Sequence, residues 1–219
     1  MAITVTSLGT ATDTTATSVE SSAFTCTAGN VLVAIVWYND EDSATITTPS
    51  GWSIGFAQRS FVSAVNSNIY GAQLYYKTAA GTETSVVGAL SITADAVGIA
   101  VWEIAGLGTA TLVDVDGSQS STSPIAFPAL SAGEVALRFV YFAGLNNASG
   151  VDDPTGFTSI AYTGGSASTI VRSSYRITAN EIAAFTQAVT GGNLTLGIVF
   201  GSTPGATPAQ QTAFFMADF

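Results

Sequence analysis

The side chains that could do chemistry in this 219-residue chain are carboxylates, a single thiol and a set of aromatic rings, because the sequence contains no histidine. Without imidazole, the Ser-His-Asp and Cys-His nucleophile systems and every imidazole-ligated metal site are excluded. Paired-carboxylate chemistry remains. Asp114 and Asp116 alternate along an extended segment and so share one face, and Glu103 lies between Trp102 and Ile104. Two carboxyl groups hydrolyse glycosides when their separation suits and one of them has a raised pKa. Spacing alone supplies neither condition. A solvated sheet edge is the simpler reading of Asp114 and Asp116, and Glu103 is expected to pair with one of the few cations, Lys77, Arg138 or Arg176. The sequence therefore predicts a chain that is not an enzyme and has no catalytic residues.

Metal and cofactor chemistry are read the same way. Asp40-Glu41-Asp42 and Asp152-Asp153 are hard oxygen donors that could hold Ca²⁺, but neither shows the spaced ligands of a calcium loop. They are expected to be turn charges that keep the chain soluble, with no metal site. Cys26 is the only cysteine, so no internal disulfide or cysteine-rich metal site forms. It alternates with Phe24 and Ala28 and reads as a small buried apolar residue. The glycines show no phosphate-loop spacing, and no cofactor is expected. Trp37, Tyr38, Trp52, Tyr75, Tyr76 and Trp102 could stack on sugar rings at a surface glycan site. Alternation puts Trp37 and Tyr38 on opposite faces, as it does Tyr75 and Tyr76, so the expectation is that at most one of each pair is core. Asn147-Ala148-Ser149 and Asn193-Leu194-Thr195 match the glycosylation sequon by chance on this reading, since no export signal is expected.

Charge narrows the partners. Five basic against fifteen acidic residues give a net charge of -10, the wrong sign for displacing counterions from nucleic-acid phosphates. No run of about 18 apolar residues is present to cross a membrane as a helix. Charged residues make up only 9% of the chain and hydrophobic ones 47%, which excludes charge-driven disorder.

The elements that must position these residues are strands. Short β-branched or aromatic runs bounded by Gly, Pro, Asn and Asp predict antiparallel strands at Val31 to Tyr38, Tyr70 to Lys77, Gly98 to Ile104, Val135 to Phe142, Ile170 to Ile177 and Leu194 to Phe200. One segment disagrees: Thr178 stands three residues before Glu181 in capping-box spacing, and one helical turn is allowed at Asn180 to Ala183.

The chain also matches itself. Ala28 to Tyr38 aligns with Ala132 to Phe142 at an offset of 104, and Pro49-Ser50-Gly51-Trp52 answers to Pro154-Thr155-Gly156-Phe157. Tyr75 to Thr78 then corresponds to Ser174 to Ile177, and Ala100-Val101-Trp102 to Gly197-Ile198-Val199. A half alone would leave the apolar face of its sheet in water, so the halves are expected to pack together. The expected fold is all-β: an eight-stranded antiparallel jelly-roll-like sandwich of two pseudo-repeated four-strand halves, about residues 18–106 and 122–201, in one domain over 1–201.

The pattern of Gly29 to Tyr38, Pro49 to Trp52, Tyr75 to Gly81 and Trp102 to Gly106, with weaker copies in the second half, resembles jelly-roll modules of bacteriophage virion surface proteins. That resemblance implies a structural or binding role on a virion, with no catalytic residues to carry over. With no coiled-coil or β-helix stalk expected before the pattern, a capsid decoration or cement protein is expected rather than a tail receptor-binding or carbohydrate-binding module. The partners then expected are the major capsid protein or another virion protein and further copies of the chain. An extended C-terminal arm, 202–219, contains Pro204 and Pro208 and ends in Phe214, Phe215, Met216 and Phe219. Each of those four is worth about 1.5 to 3 kcal/mol when buried, so they are expected to dock, either as a final strand on the chain's own sheet or on a neighbouring subunit or capsid protein, for which they are the candidate interface.

Overall fold

A computed structural model describes residues 3–62, 67–107, 111–119, 135–145, 158–164, 169–178 and 193–202. Those residues are all-β and antiparallel, with no helix among them. The strands are β1 (Thr4–Glu20), β2 (Val31–Asp40), β3 (Ile46–Thr47), β4 (Ser53–Val62), β5 (Ile69–Thr78), β6 (Val87–Ala105), β7 (Thr111–Gln119), β8 (Val135–Leu145), β9 (Thr158–Gly164), β10 (Thr169–Thr178) and β11 (Asn193–Ser202). All six strands expected from the apolar runs are present. The helical turn at Asn180 to Ala183 and the Pro154 to Phe157 turn lie outside the described residues.

Two sheets form, and each is made from one half of the chain. The first has the order β1-β6-β2-β5-β4, with β3 added to β6, and the second has the order β7-β11-β8-β10-β9. With β7, β8, β9, β10 and β11 taken as counterparts of β1, β2, β4, β5 and β6, the two orders are the same. Irregularities repeat as well. Ser7 pairs with Trp102 and Gly9 with Val101, skipping Leu8; likewise Leu112 pairs with Phe200 and Asp114 with Val199, skipping Val113. A second shift falls between Phe56 and Arg59 on β4 and between Ser159 and Ala161 on β9, at matching places against β5 and β10. A bulge is a local departure with its own backbone geometry, so its recurrence at the same point of two ladders ties the halves together more tightly than strand order does.

These registers adjust the expected correspondences. Val31 pairs with Ile104, and Val135 with Ser202, so Trp102 answers to Phe200 rather than to Val199. A one-residue slip would have put the counterpart on the wrong face. Lys77 pairs with Leu32 and Thr178 with Ala136, which moves the counterpart of Lys77 two residues on from Arg176. Each half also has a fifth strand: β1 begins well before residue 18, and β7 before residue 122. Both are edge strands. β1 reads Thr-Val-Thr-Ser-Leu-Gly-Thr-Ala-Thr and carries few large apolar residues, so hydrophobic periodicity does not announce it.

The sheets pack face to face and reciprocally. β1 approaches β9, and β4 approaches β7, so each first strand stacks over the counterpart of the other's third. Between them lie Val33, Ile35, Trp37, Leu74 and Trp102 of the first sheet, with Phe200 buried against them and Tyr175 partly so. Tyr76 meets Phe200 edge to face, with ring centroids 5.5 Å apart and planes inclined at 67°.

The outer face of the first sheet is buried too. Ala34, Val36, Tyr38, Tyr75, Val97, Ile99 and Val101 are covered by Phe24, Ala44, Ile46 and Val86. Residues 21–30 and 79–86 pair with one another across this face through Phe24 N to Thr84 O and Gly29 N to Ala79 O, both 2.9 Å. Every residue of β2 is therefore buried. This corrects the expectation for Trp37 and Tyr38. They do point to opposite faces, but both faces are core, and the two side chains are 2% and 1% exposed.

Each ring has a glycine beneath it. Trp37 stands opposite Gly98 on β6 and Tyr38 opposite Gly71 on β5, and a Cβ added at either glycine would fall inside the ring of its partner. Gly98→Ala is therefore expected to destabilise the fold by about 1 to 3 kcal/mol through overpacking. In a Trp37→Ala background the same change should cost much less, with a coupling of about 0.5 to 3 kcal/mol in a double-mutant cycle followed by denaturant unfolding. Additive costs would show that the ring does not occupy the space over Gly98.

Candidate functional site

The titratable side chains of the first sheet converge where loops cross its outer face, and the strongest cluster is one that sequence patterning did not single out. Glu83 follows the turn Ala80-Gly81-Thr82 and folds back onto it. Its Oε2 accepts hydrogen bonds from the amides of Ala80, Gly81 and Thr82 at 3.1, 3.0 and 3.2 Å, and Oε1 lies 2.7 Å from Lys77 Nζ. The Lys77 ammonium, then the Ala80 amide, hold this carboxyl well below its ordinary value of 4.5. Lys77 also lies over the Trp52 ring, 6.0 Å from its centroid. Trp52 closes the Pro49-Ser50-Gly51-Trp52 turn through its amide to Pro49 O at 3.1 Å, with Gly51 at φ 78°, where a side chain would be strained. A short Gly-containing turn followed by an acid is the sequence signal for such a nest of amides.

Cys26 belongs to the same cluster and is half-buried rather than buried. Its Sγ donates to Glu83 Oε2 at 3.3 Å. Burial pushes the thiol pKa up, and the neighbouring Glu83 carboxylate adds to the shift. This is the opposite of the electropositive setting that activates a cysteine nucleophile.

Glu103 does not pair with Lys77. Its Oε1 accepts from Thr27 N at 2.6 Å and from Asn30 Nδ2 at 2.9 Å, because β6 turns this residue toward the 21–30 segment on the outer face. Asp114 and Asp116 lie on β7, the edge strand of the other sheet, opposite Val199 and Gly197. Glu103 thus faces away from the sheet that carries the aspartates, so the structure does not bring it together with either of them.

Asp40 is buried and works as a cap. Its Oδ1 accepts from Asp42 N at 2.8 Å and its Oδ2 from Asp95 N at 2.9 Å, while Glu41 and Asp42 are exposed. Both Asp40 oxygens are therefore engaged by amides, and no group of three or more acids and cysteines that could hold a metal exists among the described residues. Asp152 and Asp153 lie outside the described residues, as do Phe214, Phe215, Met216 and Phe219. Of the candidate sugar-stacking rings, Trp37, Tyr38, Tyr75 and Trp102 are buried, and Trp52 and Tyr76 are half-buried.

The remaining cross-links fix the 43–48 loop. Gln58 donates to Ala44 O and accepts from Ile46 N, imitating a neighbouring strand, and Tyr38 Oη accepts from Ala44 N. Tyr75 Oη donates to Thr47 O at 3.3 Å, and burial pushes its phenol well above the usual tyrosine range. Chemically, this arrangement holds loops onto the first sheet.

Comparison with family models, curated proteins and solved structures finds no match to this chain.

A test of the Glu83 nest follows from the sign of its shift. A carboxyl whose folded pKa lies below the unfolded one adds stability that is fully present above pH 4.5 and declines as pH falls below it. Glu83→Gln is expected to lower stability at pH 7 by about 1 to 3 kcal/mol. The variant should also lose less stability than the native chain between about pH 5 and pH 2. Parallel pH profiles in urea unfolding would contradict the assignment.

Proposed function

We propose that the chain is a non-enzymatic structural protein of a phage virion surface, a capsid decoration or cement protein that binds shell subunits. The observation that carries the reading is what the acids do. Glu83, Glu103 and Asp40, three carboxylates of the first half, are each engaged by backbone amides or by Lys77 and hold loops in place. With these three committed to architecture, the proposed role is carried by surfaces.

The resemblance of the Gly29 to Tyr38, Pro49 to Trp52 and Tyr75 to Gly81 segments to virion jelly-roll modules supplies the setting, an argument from likeness of pattern. In this proposal β2, β4, β5 and β6 with β8, β9, β10 and β11 form the eight-stranded jelly-roll-like core, and β1 and β7 are added edges. The partners are the major capsid protein or a neighbouring virion protein, together with further copies of the chain. The other reading, a tail receptor-binding or carbohydrate-binding module for a surface glycan, rests on Trp52 and Tyr76, since the other four candidate rings are buried.

Quantitative mass spectrometry of purified particles tests the proposal. A decoration protein is expected at a copy number comparable with that of the shell subunit, and purified chain should rebind shells from which it has been stripped. A handful of copies per particle would favour the tail module, and absence from particles would overturn the virion role.

A further inference from the structure

The charges of this chain are divided between the two sides of the sandwich. Phe200 and Tyr175 lie against the first sheet, and their register partners Leu137 and Phe139 share that face. The alternate positions Arg138, Arg172 and Arg176 therefore fall on the outer face of the second sheet. These are three of the five Lys and Arg residues in the chain. Arg138 and Arg176 stand directly opposite one another across β8 and β10, a like-charge pairing that destabilises a sheet unless an anion lies beside it. Neither β10 nor its neighbours β8 and β9 contain an Asp or Glu. Asp114 stands in the row of Arg138 but across β11, about 10 Å away, and about 14 Å from Arg176. In the first sheet the same registers hold Ala34 and Tyr75, which also face each other and are fully buried beneath the loops. A cover of that apolar kind does not suit two guanidinium groups, because a buried charge is costly unless it is paired.

The other side of the sandwich carries the opposite sign. Asp40 alternates with Tyr38 on the outer face of the first sheet and accepts from the amides of Asp42 and Asp95. Asp13 pairs with Val97, two residues along from Asp95, and so stands on the same face. Asp13, Glu41, Asp42 and Asp95 are all exposed. They form no group that could hold a metal ion, and β1, β2, β6 and the 41–45 loop contain no Lys or Arg. An acidic rim without a cation of its own thus lies on one outer side, and an arginine face without an acid on its own strands lies on the other.

We propose that the face of the second sheet bearing Arg138, Arg172 and Arg176 is a docking surface, and that its occupant is the acidic rim of Asp13, Glu41, Asp42 and Asp95 on a second copy of this chain. Charge complementarity selects the occupant, and a planar guanidinium pairs with a carboxylate through two parallel hydrogen bonds. Within one copy the two surfaces cannot meet. They lie on opposite outer sides of two packed sheets, whose mean planes alone are about 10 Å apart. Because the surfaces are unlike, each docked copy still offers one rim and one arginine face, so association continues into a ring or a stack. The inference deepens the proposed assembly with further copies and rests on that reading for its use on a shell, while the contact itself needs no shell.

Sedimentation of the purified full chain over a salt series tests the contact. The mass of more than one copy is expected at about 0.01 M salt, and affinity should fall about tenfold or more toward about 1 M, as the screening length shrinks from about 30 Å to about 3 Å. Two charge-reversed chains then locate the surfaces: one carries Arg172→Glu and Arg176→Glu, the other Glu41→Lys and Asp42→Lys. Each alone is expected to sediment as a single copy at low salt, and mixing them should restore association, since each unchanged surface meets its complement on the other chain. Should the arginine variant fail to fold, the second chain, altered only at exposed loop positions, decides by losing association. A single-copy mass for the native chain at low salt, the result if the arginines are served by their own chain or by an unlike partner, would overturn the proposal. So would association that ignores salt, association retained by the Glu41→Lys, Asp42→Lys chain, or a mixture of two folded variants that stays single-copy. No shell enters the assay, so its failure leaves shell binding standing, and absence of the chain from virions leaves a salt-sensitive self-association standing.

Discussion

The rest of the structure depends on burying the first sheet from both sides. β2 and the central part of β6 have no solvent face: residues 31–40 and 96–102 are all buried. Two strands packed this way need cross-strand neighbours that make room for large rings, and glycines supply it. Trp37 lies over Gly98 on the face toward the second sheet, and Tyr38 lies over Gly71 on the face toward the loops. The Trp37 indole N–H has no hydrogen-bond partner among the described residues, a cost of about 1 to 3 kcal/mol that the surrounding apolar packing must exceed.

A two-sided sheet explains the placement of the polar groups. The second sheet covers one face, but the other is covered by irregular backbone whose amides and carbonyls would be unpaired without side-chain partners. Glu83, Glu103, Gln58, Ser21 and Asp40 supply those partners. In a chain with only 9% charged residues, Glu83, Glu103 and Asp40 are spent on holding loops to a sheet. The pairing of the two sheets has a physical reading too: the inner face of the first is buried where the second meets it, with Phe200 fully buried there and Tyr175 partly so.

Much of this architecture was legible in the sequence. Continuous apolar runs such as Val31 to Tyr38 marked the central strands, and the match of Ala28 to Tyr38 with Ala132 to Phe142 disclosed the halves. The same run held a signal that alternation alone misses, since a strand apolar at every position is one buried on both faces. β1 and β4 were illegible for opposite reasons. β1 is an edge strand built of Thr, Ser and small residues, whereas β4 is interrupted by two shifts of register that scramble its period and leave Ile54 exposed and Phe56 buried. The Glu83 cluster depends on Cys26, Lys77 and an acid six residues beyond Lys77 meeting through the fold, and only the turn Ala80 to Thr82 hinted at it. Glu103 was assigned a cation because sequence cannot show that the 21–30 segment lies over β6.

Hydrogen–deuterium exchange read by mass spectrometry tests the two-sided sheet most directly. Peptides covering Val31 to Asp40 and Ala96 to Trp102 are expected to exchange last in the chain and together, through global unfolding, while the edge strands β1 and β4 exchange earlier. Exchange of β2 on the timescale of the edge strands, or loss of its protection when only the 21–30 segment opens, would contradict burial of the first sheet on both faces.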